Sequence, residues 1–215
     1  MCLGGAPVPP GGGLERSDDA RERTMTVPND AALLLIDVQK GFDEPRWGDR
    51  NNPDAEGNIA ALLSVWRRTG RPVLHVQHMS READSPLRPG QSGNAFKPEA
   101  MPRAGEPVFQ KSVNSAFIGT NLESHLRARG IDSLVIVGLT TDHCVSTTAR
   151  MAANLGFRTM VVSDGTATFG RTGPDGTRYA AEEMHRTGLA SLHGEFAAIR
   201  RTDEVLAEIG EPRSV

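Results

Sequence analysis

The sequence predicts an α/β domain of three layers, a parallel sheet covered by helices on both faces. Two observations predict it. Short apolar runs, nearly continuous rather than alternating, recur along the chain, which is the pattern of strands buried on both faces. Segments with apolar residues at helical spacing separate them, and alternation of strand and helix builds a parallel sheet with crossover helices.

The strands are read at 31–37 (AALLLID), 72–78 (PVLHVQH), 107–111 (PVFQK), 133–138 (SLVIVG), 157–164 (FRTMVVSD) and 195–201 (EFAAIRR). The first helix, 58–70, carries apolar residues at helical spacing and stops at Gly70 before Pro72. The second, 120–130, opens on Thr120 with Glu123 three residues on, the spacing of a capping box, and closes on Gly130. Helices at 144–157 and 177–192 follow, and a short one at 202–209 ends the pattern. The stretch 79–105 is rich in Pro, Gly and Ser and has no period. Connections of that length tend to be functional or disordered.

The 215 residues, 38% of them hydrophobic, suit one domain. Its 24 basic and 27 acidic residues are scattered and leave a net charge of −3, so no footprint for nucleic acid or an anionic membrane is expected. No apolar run approaches the roughly 20 residues that span a bilayer. Only Cys2 and Cys144 are present, which fits reduced thiols and a cytoplasmic protein better than a disulfide framework. Eight of the first thirteen residues are Gly or Pro, and a charged run follows. Residues 1–27 are therefore expected to be a disordered extension, with Met25 as an alternative start and 28–215 as the domain. No secretory signal pattern is present in that stretch.

Ligands of open α/β sheets bind outside the carboxyl ends of the strands, so the residues there carry the chemistry. Asp37 ends the first strand, His78 the second and Lys111 the third, and Gly138–Cys144 follows the fourth. Cys144 stands at the opening of a helix, where free amides and the helix dipole favour negative charge. With Lys111 nearby, its thiol is expected to have a depressed pKa and to act as a nucleophile, with backbone amides beside it for an oxyanion. The bland alternative is a small buried hydrophobe. Asp37 reads as a paired or reactive carboxylate or as a turn residue, and Lys111 as a reactive ammonium or a surface lysine on an edge strand. His75 and His78 lie three apart on one strand and point to opposite faces, so they do not share an ion, and His75 reads as a core or rim histidine.

The motifs LLLIDVQKGF at 33–42, KSVNSAF at 111–117, GLTTDHCVSTTARMAANLGF at 138–157 and DGTAT at 164–168 resemble, as a set, the isochorismatase-like cysteine hydrolases, which include nicotinamidases and N-carbamoylsarcosine amidases. The resemblance covers most of 31–200. It implies a Rossmann-like three-layer domain with a six-stranded parallel sheet of order 3-2-1-4-5-6. It also implies Cys144 as nucleophile, Asp37 as base and Lys111 as their cationic partner, with a cis peptide at Leu139–Thr140 turning the amides of Thr140 and Cys144 into an oxyanion hole. The implied reaction cleaves a non-peptide C–N bond of a small molecule through a thioester. A symmetric homo-oligomer, such as a dimer, is implied as well. The Asp-x-His metal pair of nicotinamidases is missing from 72–81, so no metal and no other cofactor is expected, and the metal-dependent nicotinamidase is the less favoured enzyme. Isochorismatases proper lack the nucleophilic cysteine, which argues against vinyl-ether hydrolysis.

Segments 47–58 and 88–99, with SLHGEFA, resemble the branch containing streptothricin hydrolase, so opening of that antibiotic's lactam, a resistance activity, is a candidate reaction. Trp47, Asn51, His78 and Phe117 are candidate substrate contacts on the wall of the pocket. Two non-hydrolytic readings stay open, a thiol redox sensor and a non-catalytic α/β binding domain. The sensor lacks a resolving cysteine in the domain. A dinucleotide site is excluded because DVQKGFDE, not a glycine-rich turn, follows the first strand.

Overall fold

The structure, a computed structural model, describes residues 26–210. Its strands are β1 (Ala32–Ile36), β2 (Val73–His78), β3 (Val108–Lys111), β4 (Ser133–Leu139), β5 (Arg158–Ala167), β6 (Arg171–Thr172), β7 (Arg178–Tyr179) and β8 (Ala198–Arg200). Its α-helices are α1 (Ala55–Arg68), α2 (Leu122–Ala128), α3 (Ser146–Asn154), α4 (Ala181–Ala190) and α5 (Thr202–Gly210). Six strands form one sheet in the order β3-β2-β1-β4-β5-β8, every pair parallel. Counted among sheet strands alone, this is the expected order 3-2-1-4-5-6. The hairpin β6–β7 stands apart as a two-stranded antiparallel ribbon and was not anticipated from the sequence.

The strand period of two sorts β1 and β4 cleanly. Leu33, Leu35, Val135 and Val137 join α1 (Ile59, Leu62, Leu63, Trp66) and α5 (Val205, Ile209) in one core. Ala32, Leu34, Ile36, Leu134 and Ile136 join α2, α3 and Leu189 of α4 in the other. At about 2 kcal/mol for each fully buried Leu or Ile, these two clusters supply the main drive for folding. Trp66, wholly buried, satisfies its indole N–H by donating to Ala31 O at 2.9 Å.

Helix α1 ends where its sequence stops it: Gly70 takes φ 68° and donates to Arg67 O, and Arg71 donates to Trp66 O. The capping box expected at α2 does not form. Asn121 holds the cap position, Thr120 Oγ1 donates instead to Ala116 O, and Glu123 pairs with Arg127 one turn on. The extension expected over 1–27 falls outside the described residues up to 25. Val27 already belongs to the domain, buried and donating its amide to Glu208.

The connection 79–105 is ordered. Asn94 donates to the carbonyls of His78 and Leu87 and accepts from Gln77, while the buried Gln39 side chain donates to Asn94 O and His78 O. Polar side chains thus replace sheet bonds in holding this loop over the ends of β1 and β2. Lys97, also on the loop and almost fully buried, reaches Asp43 and Glu56. Among the described residues no helix is long and apolar enough to cross a membrane.

Candidate active site

Four adjacent strands deliver four side chains to one edge of the sheet. Lys111 is in register with His78 across β3 and β2, Asp37 follows β1, and β4 runs through Gly138 to the segment carrying Cys144. Asp37 adopts φ 51°, in the left-handed region that is costly for a residue with a Cβ and recurs at functional sites. A Cβ on Gly138 would lie 2.0 Å from Ile36 O, so only glycine lets β4 approach β1 here. The Leu139–Thr140 peptide is cis, as expected. Cys144 then lies in a π-helical turn, Thr141–Val145, and α3 opens only at Ser146.

Lys111 Nζ sits at the centre. It donates to Asp37 Oδ2 at 2.5 Å, His78 Nδ1 at 3.1 Å and Cys144 Sγ at 3.3 Å, which uses all three ammonium protons. The Lys111 and Asp37 side chains are both wholly buried. The second carboxylate oxygen, Asp37 Oδ1, is buried and has no hydrogen-bond partner among the described residues. Asn114, exposed at the rim, brings its Oδ1 to 3.8 Å from the sulfur.

The thiol departs from expectation. Burial and then the Asp37 carboxylate push Cys144 up, and the Lys111 ammonium offsets them only in part. A helix terminus and one lysine were expected to leave a thiolate, but the tertiary burial and the facing carboxylate outweigh both. Burial works to lower the Lys111 pKa, yet Asp37 and Cys144 hold it above the ordinary lysine value, so its charge is secure.

Oxygen, nitrogen and sulfur atoms of Asp37, His78 and Cys144 lie within 4.8 Å of one another, a set that could ligate a metal. The Lys111 ammonium is within hydrogen-bond reach of all three residues, and its positive charge opposes a second cation beside it. His75 points away from this cluster, wholly buried and bonded to Glu106 at 2.8 Å.

The candidate wall residues are engaged mainly with the protein itself. Trp47 spends its N–H on Gly41 O and packs against Phe42 and Phe169. Asn51 is buried, accepts from the Thr168 amide at 2.7 Å and donates to Glu182, leaving its amide group occupied by the protein. Phe117 stacks on Phe157, just before β5, and packs against the core cluster that includes Cys144.

Several functional-looking residues escaped the sequence reading. Asp142 accepts from Thr168 and from Arg171 of the hairpin, and Thr141 Oγ1 shares a 2.9 Å hydrogen bond with buried His185, so the turn bearing Cys144 is braced from both sides. Gln39, Asn114 and Asp142 stand inside the quoted motifs, which was a usable signal. Arg171 and His185 gave none.

The pattern of the Isochorismatase domain family matches residues 31–204. The chain belongs to the isochorismatase family of hydrolases. It is 48% identical over 175 residues to the isochorismatase family protein YrdC of Bacillus subtilis, covering 81% of this chain and 94% of that one. A crystal structure of an isochorismatase-family protein from Chromobacterium violaceum superposes with a TM-score of 0.83 at 48% identity, covering 85% of this chain and 95% of that chain. Maleamate amidohydrolase of Pseudomonas putida is 34% identical over 155 residues, 62% of this chain and 70% of that protein.

Proposed function

We propose that this isochorismatase-family protein is a cysteine amidohydrolase cleaving a C–N bond of a small amide or lactam. The observation that carries the reading is the divided carboxylate of Asp37: Oδ2 is held by Lys111, Oδ1 is buried without a hydrogen-bond partner among the described residues, and the carboxylate lies within 4.8 Å of a thiol whose pKa is raised. Such an oxygen is a proton acceptor in waiting. The site is neutral overall, one carboxylate against one ammonium, which suits an uncharged reacting group.

In the first half, Asp37 takes the Cys144 proton as Sγ bonds to the amide carbon, and the C=O electron pair moves to oxygen. The amides of Thr140 and Cys144 are the proposed donors to that oxyanion. The C–N bond then breaks, nitrogen takes the proton from Asp37, and a thioester remains on Cys144. In the second half water gives its proton to Asp37 and attacks the thioester, the C–S bond breaks, and the thiolate recovers the proton. Lys111 stays charged throughout and stabilises whichever of sulfur and carboxylate is the anion.

The relative that acts on maleamate supports an amide substrate. Streptothricin lactam belongs in the panel for the branch resemblance. Ammonia or amine release should be measured from primary amides, lactams and ureido compounds, with intact-mass analysis of the quenched enzyme. An acyl adduct on Cys144 and loss of turnover in Cys144→Ala are expected; turnover persisting in that variant would refute the proposal. We also propose a homodimer or larger homo-oligomer, supported by Val108 on the open edge strand and exposed Val113 and Ile118 just after it. Light scattering should return at least twice 23.1 kDa, and a single-chain mass would contradict it.

A further inference from the structure

His78 is not consumed by the chemistry above, yet its ring is held against the reacting groups. Its main-chain N–H donates to Gln39 Oε1 at 2.8 Å, and its carbonyl accepts from Gln39 Nε2 and Asn94 Nδ2 at 3.1 and 2.8 Å. Three bonds therefore fix the backbone from which the ring projects. The third Lys111 proton goes to His78 Nδ1, so that nitrogen is an acceptor and bears no hydrogen. The imidazole proton must then reside on Nε2. That nitrogen has no partner among the described residues, and the side chain is half-buried at the rim of the site. Burial first, then the Lys111 charge, pull His78 below the ordinary imidazole range against the opposing pull of Asp37 and exposed Glu82, so the neutral ring persists at neutral pH.

We infer that His78 determines specificity: Nε2–H is a preset donor for an acceptor oxygen that the substrate carries two or three bonds from the scissile carbonyl. The preferred substrates are then amides bearing a second carbonyl or carboxylate rather than plain alkyl amides. This rests on the amidohydrolase reading. A ring nitrogen of His78 lies within 4.8 Å of the sulfur and of an Asp37 carboxylate oxygen, so the ring borders the space that the substrate must enter to reach the thiol. A donor that the bound substrate closes off from water discriminates against an isostere lacking the acceptor, because the polar group is then left unpaired.

The test compares kcat/KM for succinamate, which carries a carboxylate, with butyramide, its near-isostere without one, in wild type, His78→Leu and His78→Gln. Wild type should favour succinamate by about tenfold or more. His78→Leu should bring the ratio close to one, and His78→Gln, which keeps both an acceptor and a donor, should retain most of it. A role exerted only through Lys111 would scale both substrates alike and leave the ratio intact in His78→Leu, which overturns the proposal, as does a wild type without preference. Should wild type hydrolyse neither compound nor any member of the wider amide panel, the amidohydrolase reading itself falls, and this inference with it.

Discussion

At the scale of the residue, the site depends on how three groups share protons. Asp37, Lys111 and Cys144 were legible because each stands at the end of an apolar strand or just after one, where a charged or reactive side chain needs a reason. The protonation state of the thiol was not legible, because it depends on the depth of the site and on the carboxylate that faces the sulfur, both set by strands far apart in sequence. Asp37→Asn keeps shape but loses the proton acceptor, and turnover should fall by about 10²- to 10⁴-fold in steady-state assays of ammonia release. Lys111→Met should fall comparably, since it leaves Asp37 buried without a counter-charge. Near-normal turnover in either variant removes that residue from the mechanism.

At the scale of the element, apolar runs announced each sheet strand and helical spacing announced the helices, but ends and polar insertions were harder. The hairpin β6–β7 has only two residues per strand, too few for a period, and it is held by Arg171 on Asp142 rather than by a buried face. The capping box at α2 failed because Thr120 found a carbonyl in the preceding turn instead. Gly138 shows how an element positions the site. It lets β4 close on β1 with φ 120°, and a Cβ would meet backbone atoms of Ile36 at 2.0 to 2.8 Å. Gly138→Ala should cost about 3 kcal/mol or more in chemical denaturation, along with most activity. A change within about 0.5 kcal/mol would show that the strands can part without penalty.

At the scale of the whole molecule, part-buried ion pairs outside the site tie loop to helix and make stability depend on pH. Burial works to raise Glu56, but Arg50 and Lys97 hold it down to about 2, and Arg67 with His75 does the same for Glu106 against its own burial. A carboxyl depressed in the fold adds stability above its unfolded pKa, near 4.5, and that stability drains away as pH falls toward 2. Urea denaturation should show a steep loss across that window, and Glu56→Gln should flatten it while lowering stability at pH 7. A wild-type profile flat from pH 5 to 2.5 would contradict this. The loop carrying Lys97 looked structureless in sequence because its order comes from Gln39, Asn94 and these pairs, not from any period.

Cys144 rests as a thiol because burial, and after it the facing Asp37 carboxylate, raises its pKa; the direct measurement is the pH dependence of its alkylation by iodoacetamide, resolved by peptide mass spectrometry in wild type and Asp37→Asn. Wild type should titrate above the ordinary thiol value of about 8.5. In Asp37→Asn the midpoint should drop, since the raising carboxylate is gone and the Lys111 charge remains, so labelling quickens while hydrolysis is lost. A wild-type midpoint at or below the ordinary value, unmoved by the substitution, would contradict the account.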